Sequence, residues 1–276
     1  MATITLVGAG GKMGCRITDN FKKTQLDVRY VEVGNAGIER LRERSVDTTS
    51  QDEAVPSADV VILAVPDVAI ESVSRDIVAL MKPGALLVLL DPAAPLDGKV
   101  VQRNDISYFI AHPCHPSVFN WEPTEEQTRD FYGGISAKQS IVCALMKGGE
   151  DDYARGVEIA QAMYAPIHRT HRVTLEQMAI LEPALVETLA QSCIELVKKG
   201  YDITVEKGVP PEAARDFLLG HLRIQIAVLF GEVNGTFSDA AYKISARAHK
   251  VLFQENWQRI FEMDDIHDQV RNITQK

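Results

Sequence analysis

Along the first half of the chain, short apolar runs alternate with stretches of helical periodicity. Thr3 to Val7 has the length and composition of a strand; the run breaks at Gly8, and apolar positions resume with helical spacing at Ile17 and Phe21. Val28 to Val33 reads as a second strand and is followed by a polar helix from Ala36 to Arg44. The run Ala58 to Val65 is apolar without alternation, which suits a strand buried on both faces of a sheet. A helix from Ala69 to Met81 is stopped by Pro83-Gly84, and Ala85 to Leu90, Tyr108 to Ala111 and Ser140 to Leu145 are further strands. Such alternation predicts a parallel, doubly wound α/β sheet of the Rossmann type, with ligands beyond the carboxyl ends of the strands.

Past about Thr170 the pattern changes to long helices. Thr174 can cap a helix, with Gln177 completing a capping box, and helical spacing then continues to about Lys199. Pro210-Pro211 opens a second helix, strongly apolar from Phe217 to Phe230, and Ser238 is placed to cap a third that reaches about Met263. The expected organisation is a nucleotide-binding domain over residues 1–172 and an all-helical domain over 173–276. The second helix is apolar nearly all round, more than one small domain needs to bury, which points to a homodimer through the helical domain.

Composition narrows the function classes. A chain of 276 residues, 46% hydrophobic and 24% charged, can build two ordinary globular cores. Its net charge of −9 argues against a nucleic-acid or anionic-membrane surface, leaving a small molecule or another subunit as partner. The four cysteines, at 15, 114, 143 and 193, form no CxxC pair, so a reduced, cytoplasmic chain is expected. No charged start leads into a long apolar stretch and no run approaches 18 apolar residues, so neither secretion nor membrane spanning is expected.

Chemistry enters first at the glycine turn. Gly8-Ala9-Gly10-Gly11-Lys12-Met13-Gly14 reads G-x-G-x-x-x-G, one residue longer than the usual dinucleotide fingerprint, between a strand and a helix start. Glycine permits φ > 0 and close approach of a diphosphate to the helix's N-terminal amides. Glu32, ending the second strand, stands where a carboxylate accepts hydrogen bonds from the adenosine ribose and repels a 2′-phosphate, which favours NAD over NADP. Asp67 follows the third strand and is expected to converge on the same mouth.

The strand Tyr108 to Ala111 runs into His112-Pro113-Cys114-His115-Pro116, where the nicotinamide should lie. Two imidazoles held by prolines can serve as general base, substrate hydrogen-bonding group or metal ligands. On a wheel of 100° per residue from Thr174, Leu175, Met178, Val186, Leu189, Cys193 and Leu196 surround Glu182, so this carboxylate sits inside an apolar stripe and needs a proton, a hydrogen bond or a cation. Pro183 removes a helical hydrogen bond beside it. His112, His115 and Glu182 together form an N/O set suited to Zn²⁺, with Mg²⁺ or Mn²⁺ also open, that would polarise a substrate oxygen.

The GAGGKMG turn, Glu32, AVPD at 64–67, HPCHP, FYGGISAKQSIVCALMKGG at 131–149 and the helical second half resemble the 6-phosphogluconate dehydrogenase-like superfamily, and within it the D-apionate oxidoisomerase group. The resemblance covers nearly the whole chain. It implies NAD-linked oxidation of a branched or polyhydroxy sugar acid coupled to a carbon-skeleton rearrangement, as in ketol-acid reductoisomerase chemistry run oxidatively, with a divalent metal bridging two substrate oxygens. The paired carboxylates one helical turn apart that reductoisomerases use are missing, since Val186 follows Glu182 by four residues. The strand-end His-Pro also resembles prephenate dehydrogenases, so oxidation without migration, including simple 3-hydroxyacid dehydrogenation, stays open. A redox sensor that holds NAD without turnover is the non-enzymatic alternative; it would have no use for His112, His115 or Glu182.

Overall fold

A computed structural model describes residues 2–275. Seven strands form one sheet in the order β2-β1-β3-β4-β5-β6-β7: β1 (Thr3–Val7), β2 (Asp27–Val31), β3 (Val60–Leu63), β4 (Leu86–Leu89), β5 (Ser107–Pro113), β6 (Gln139–Lys147) and β7 (Ile167–Arg172). The first five are mutually parallel; β6 runs antiparallel to β5, and β7 is parallel to β6. The doubly wound sheet is thus present, extended by two reversed strands. β7 escapes the apolar pattern because Ile167-His-Arg-Thr-His-Arg is an edge strand with four of its side chains exposed.

Crossover helices α1 (Lys12–Phe21), α2 (Asn35–Glu43) and α4 (Asp67–Leu80) link the parallel strands, with α3 (Gln51–Ala54) and α5 (Ala93–Leu96) as single turns. Alternate residues of each central strand feed the two faces. Val61, Leu63, Leu87, Leu89 and Ile110 pack into one core, while Ile62, Leu86, Val88, Phe109 and Ala111 pack into the other. That continuous burial is what the unalternating apolar runs signal. After α6 (Glu125–Thr128), α7 (Glu150–Tyr164) closes the second face. Gly156 lets it approach β5, because a Cβ there would come within 2.5 Å of the Phe109 ring.

From Thr174, α8 (Leu175–Ala179) passes into a π-helical segment, Ile180–Gln191, and then into α9 (Ser192–Glu206). The capping box at Thr174 and Gln177 forms as expected. The wheel around Glu182 does not survive, because an i→i+5 ladder turns less per residue than an α-helix; Met178 is buried but Val186 and Leu196 are about half exposed. Pro183 lies inside the π-helical segment and has no N–H to give the Ala179 carbonyl, the kind of lesion that admits a π bulge.

α10 (Pro211–Leu229) starts at the expected proline, and Ser238 caps α11 (Asp239–Leu252). That helix stops short of Met263. Phe253 turns extended, and a 3₁₀ turn, Trp257–Phe261, precedes α12 (Met263–Thr274).

Two compact units result: Met1–Glu182 with His267–Lys276, and Pro183–Ile266. The division falls ten residues beyond the 172/173 boundary read from the sequence, because Met178 and Ala179 are fully buried and Met178 belongs to a sheet core. The C-terminal segment also joins the first unit: Val270 is fully buried and Thr274 Oγ1 donates to Asp97 Oδ2 at 2.6 Å. Among the described residues of the second unit only Pro183, Ala184, Ala214 and Ile266 are buried.

Candidate active site

The glycine turn is built for close approach. Gly8 has φ +76°, and a Cβ there would meet the Ala64 carbonyl oxygen at 2.5 Å; one at Gly10 would meet Gly37 at 2.3 Å, and one at Gly14 would meet the Gly8 carbonyl at 2.1 Å. These three glycines therefore serve the backbone itself. Helix α1 then starts at Gly11 with no side-chain cap and no acidic residue in its first turn, so its leading amides have no protein anion to satisfy them. Gly11, Lys12 and Met13 line a cavity of about 330 Å³. An uncapped helix start against a cavity is the arrangement a dinucleotide's diphosphate requires.

Glu32 ends the second strand as expected, but its carboxylate is already engaged. Oε2 accepts the Gly10 N–H at 2.9 Å, and Oε1 accepts the Val33 and Gly34 N–H groups, each at 2.9 Å. The side chain thus braces the turn. Arg40, which sequence reasoning passed over, donates from Nε to the Gly10 carbonyl at 2.7 Å.

The far wall of the cavity comes from the ends of three adjacent parallel strands: Asp67 after β3, Asp91 after β4 and His112 near the end of β5. His112 is a strand residue, not a turn residue, paired with Val142 of β6. Its Nδ1 lies 2.8 Å from the Leu90 carbonyl oxygen, which can only accept, so the proton sits on Nδ1 and Nε2 presents a lone pair. Nε2 is 3.3 Å from Glu182 Oε2, and Asp91 Oδ2 is 3.8 Å from Nδ1. One ligand atom from each of Asp91, His112 and Glu182 lies within 4.8 Å of the others, all in half-buried positions. A lone pair facing a carboxylate oxygen is unfavourable unless a proton or a cation lies between them.

Two carboxyls of this wall are held above their ordinary range. Burial pushes Asp91 up, opposed by His112 and by the Ala93 amide and reinforced by the Glu182 charge. Burial and then the neighbouring Asp91 charge raise Asp67 to about 6. The two acids and one imidazole of the Asp91, His112 and Glu182 cluster are an O/N donor set that fits a divalent cation. Asp91 was not foreseen. Asp91-Pro92 follows the strand read as Ala85 to Leu90 and drew no role, although the available signal was positional: an acid at a strand's carboxyl end, as at Asp67.

His115, expected beside His112 and Glu182, is not in the cluster. It sits past the strand end with φ +60°, its Nδ1 2.8 Å from the Tyr132 carbonyl, and it lines the same cavity near Lys12 and Met13. Cys114 is exposed, whereas burial drives the Cys143 thiol up to about 12.

A glycine turn opening onto a strand-end cavity, an acid at the end of β2 and a helical second half together define a nucleotide-dependent oxidoreductase. Comparisons with known proteins agree. Residues 3–103 match the NAD-binding domain of 6-phosphogluconate dehydrogenase and residues 120–274 match the phosphogluconate dehydrogenase (decarboxylating) C-terminal domain. A D-apionate oxidoisomerase of Rhizobium rhizogenes is 47% identical over 99% of this chain and 100% of its own, and one of Cupriavidus necator is 44% identical over 98% and 99%. The crystal structure of a semialdehyde dehydrogenase NAD-binding protein from Cupriavidus necator, in complex with calcium and NAD, superposes with a TM-score of 0.97 at 44% identity, covering 99% of this chain and 100% of that one. The chain belongs to the D-apionate oxidoisomerase group of the 6-phosphogluconate dehydrogenase-like superfamily, and it is an NAD-dependent enzyme acting on a CH–OH group.

Proposed function

We propose that this enzyme oxidises D-apionate or a closely similar branched polyhydroxy acid and couples the oxidation to isomerisation, with a divalent cation held by Asp91, His112 and Glu182. The observation that carries this reading is the convergence of those three side chains, with one ligand atom of each within 4.8 Å of the others and with Asp91 and His112 lining the cavity that Gly11, Lys12 and Met13 also line. Bound NAD would take the hydride, and the cation would polarise adjacent substrate oxygens. The chain's own residues do the rest. His112 donates its Nδ1–H to the Leu90 carbonyl and offers Nε2; the Ala93 amide, donating to Asp91 Oδ1 at 2.8 Å, leaves Oδ2 for the cluster. Gly11, Lys12 and Met13 supply the amides for the diphosphate, and Glu32 disfavours a 2′-phosphate.

Two carboxylates and one imidazole make a harder donor set than the two imidazoles and one carboxylate read from the sequence. Ca²⁺ therefore joins Zn²⁺, Mg²⁺ and Mn²⁺ as a candidate occupant, and the Cupriavidus necator relative was solved with calcium. The same reading includes a homodimer formed through the second unit, where Phe217, Leu229 and Phe230 are each at least 70% exposed. Light scattering at micromolar concentration should give twice 30.5 kDa; a monomer would reject the dimer.

The test of substrate and cofactor is NADH formation at 340 nm across a panel of sugar acids, with NAD and NADP in parallel. D-apionate with NAD should turn over best. Turnover of prephenate but not of D-apionate would support an oxidative decarboxylase, and tight NAD binding without turnover on any acid would support a sensor.

A further inference from the structure

We infer that His115 is a substrate-positioning residue separate from the metal cluster, and that Tyr132 is the residue that aims it; this rests on the oxidoisomerase reading for the substrate's class. His115 holds φ +60°, a left-handed backbone that a non-glycine residue adopts at a cost and that persists only where its surroundings fix it. The fixing contact is visible. Nδ1 lies 2.8 Å from the Tyr132 carbonyl oxygen, so the proton sits on Nδ1 and Nε2 carries the lone pair, on a ring that lines the cavity. The two rings meet edge to face, with centroids 6.0 Å apart at 82°.

Tyr132 is itself held from the cofactor side. The Arg16 guanidinium lies 4.1 Å from its ring centroid and the Lys12 ammonium 4.9 Å, both on the first turns of α1. The loop that carries Tyr132 is stitched closed. Asp130 Oδ2 accepts the Ile135, Ser136 and Ala137 amides, and Glu122 Oε1 accepts from Asn120 Nδ2 and the Lys138 amide. A chain of contacts therefore runs from the diphosphate helix through Tyr132 to His115 and ends at the cavity. Three residues after His112, a second imidazole with the same tautomer faces the cavity without joining Asp91 and Glu182. A neutral Nε2 accepts a hydrogen bond, so its partner is a hydroxyl of the polyhydroxy acid.

The test uses the full-length protein and three readouts. Mn²⁺ affinity by titration calorimetry should be unchanged in His115→Ala and lost in His112→Ala. In ¹⁵N-histidine protein without substrate, the His115 resonance, assigned by its absence in His115→Gln, should report a single Nδ1–H tautomer. Tyr132→Phe and Tyr132→Ala should both keep this signature, because the acceptor is the main-chain carbonyl, and Asp130→Ala, which frees the loop that carries that carbonyl, should convert it to a mixture. With a turned-over acid, kcat/KM should fall about tenfold or more in His115→Ala and Asp130→Ala and stay within about twofold of the parent in Tyr132→Phe. Loss of Mn²⁺ affinity in His115→Ala, or an unchanged His115 tautomer in Asp130→Ala, would overturn the proposal. If the parent binds no Mn²⁺ or turns over no acid, the proposed function fails while the tautomer measurement still decides this one.

Discussion

At the scale of single residues, the site depends on a few polar atoms whose partners are fixed. Glu32 accepts three backbone amides and is the residue we propose meets the adenosine ribose, so Glu32→Ala should act twice. Stability should fall by roughly 1–3 kcal/mol as the Gly10, Val33 and Gly34 amides lose their acceptor. The preference for NAD over NADP, read as a ratio of kcat/KM values, should shrink by about tenfold or more. Asp67 gives a pH signature. Its folded carboxyl titrates at about 6 against an unfolded value of 3.8, so the native state holds the proton more tightly. Stability therefore falls as pH rises through that window, and the loss is complete above it. In chelator-treated protein, Asp67→Asn should raise Tm at pH 7.5 and leave it nearly unchanged at pH 4; a rise of equal size at both pH values would contradict the assignment. Residue identity was the hardest thing to read from the sequence. His112 and Glu182 drew notice through type and context, whereas Asp91 looks like a turn acid until β3, β4 and β5 are known to be neighbours.

At the scale of elements, the sequence was most legible where periodicity is unmixed. The buried run of β1 could be placed to the residue, β4 to within one residue at each end and β3 to within two, because a strand covered on both faces leaves no polar alternation to misread. The same logic misses β7, whose exposed polar side chains give no apolar signal, and it mistakes the π-helical segment for an α-helix, because residue type does not report a change of hydrogen-bond ladder. Two elements supply tests. Gly156→Ala would force a methyl group to within 2.5 Å of the Phe109 ring, and calorimetry should show a loss of roughly 1–3 kcal/mol as α7 moves off β5. Pro183→Ala returns the missing N–H and favours an ordinary α-helical ladder, which would rotate Glu182 relative to His112. Divalent-cation affinity should then fall while the helix content by circular dichroism does not; unchanged affinity would mean that the proline does not aim Glu182.

At the scale of the molecule, the first unit has cores on both faces of its sheet and is sealed by the returning C-terminal helix. The second has only four buried residues among those described. The sequence reads as two ordinary globular cores, with the all-round apolar character of α10 pointing to a dimer, and it does not reveal that the chain from His267 returns to the first unit, since Val270 and Thr274 gain meaning only beside Asp97. The assembly of the site is equally a property of the whole first unit. The ends of β4 and β5 and the start of the π-helical segment bring Asp91, His112 and Glu182 together. We propose that this cluster holds the catalytic cation. The most direct measurement is the divalent metal content of purified protein, read with NADH formation from D-apionate before and after chelation. One ion per chain in the parent, none in Asp91→Asn or Glu182→Gln, and activity lost to chelator and restored by added metal are expected; metal-free protein with full turnover in excess chelator would contradict it.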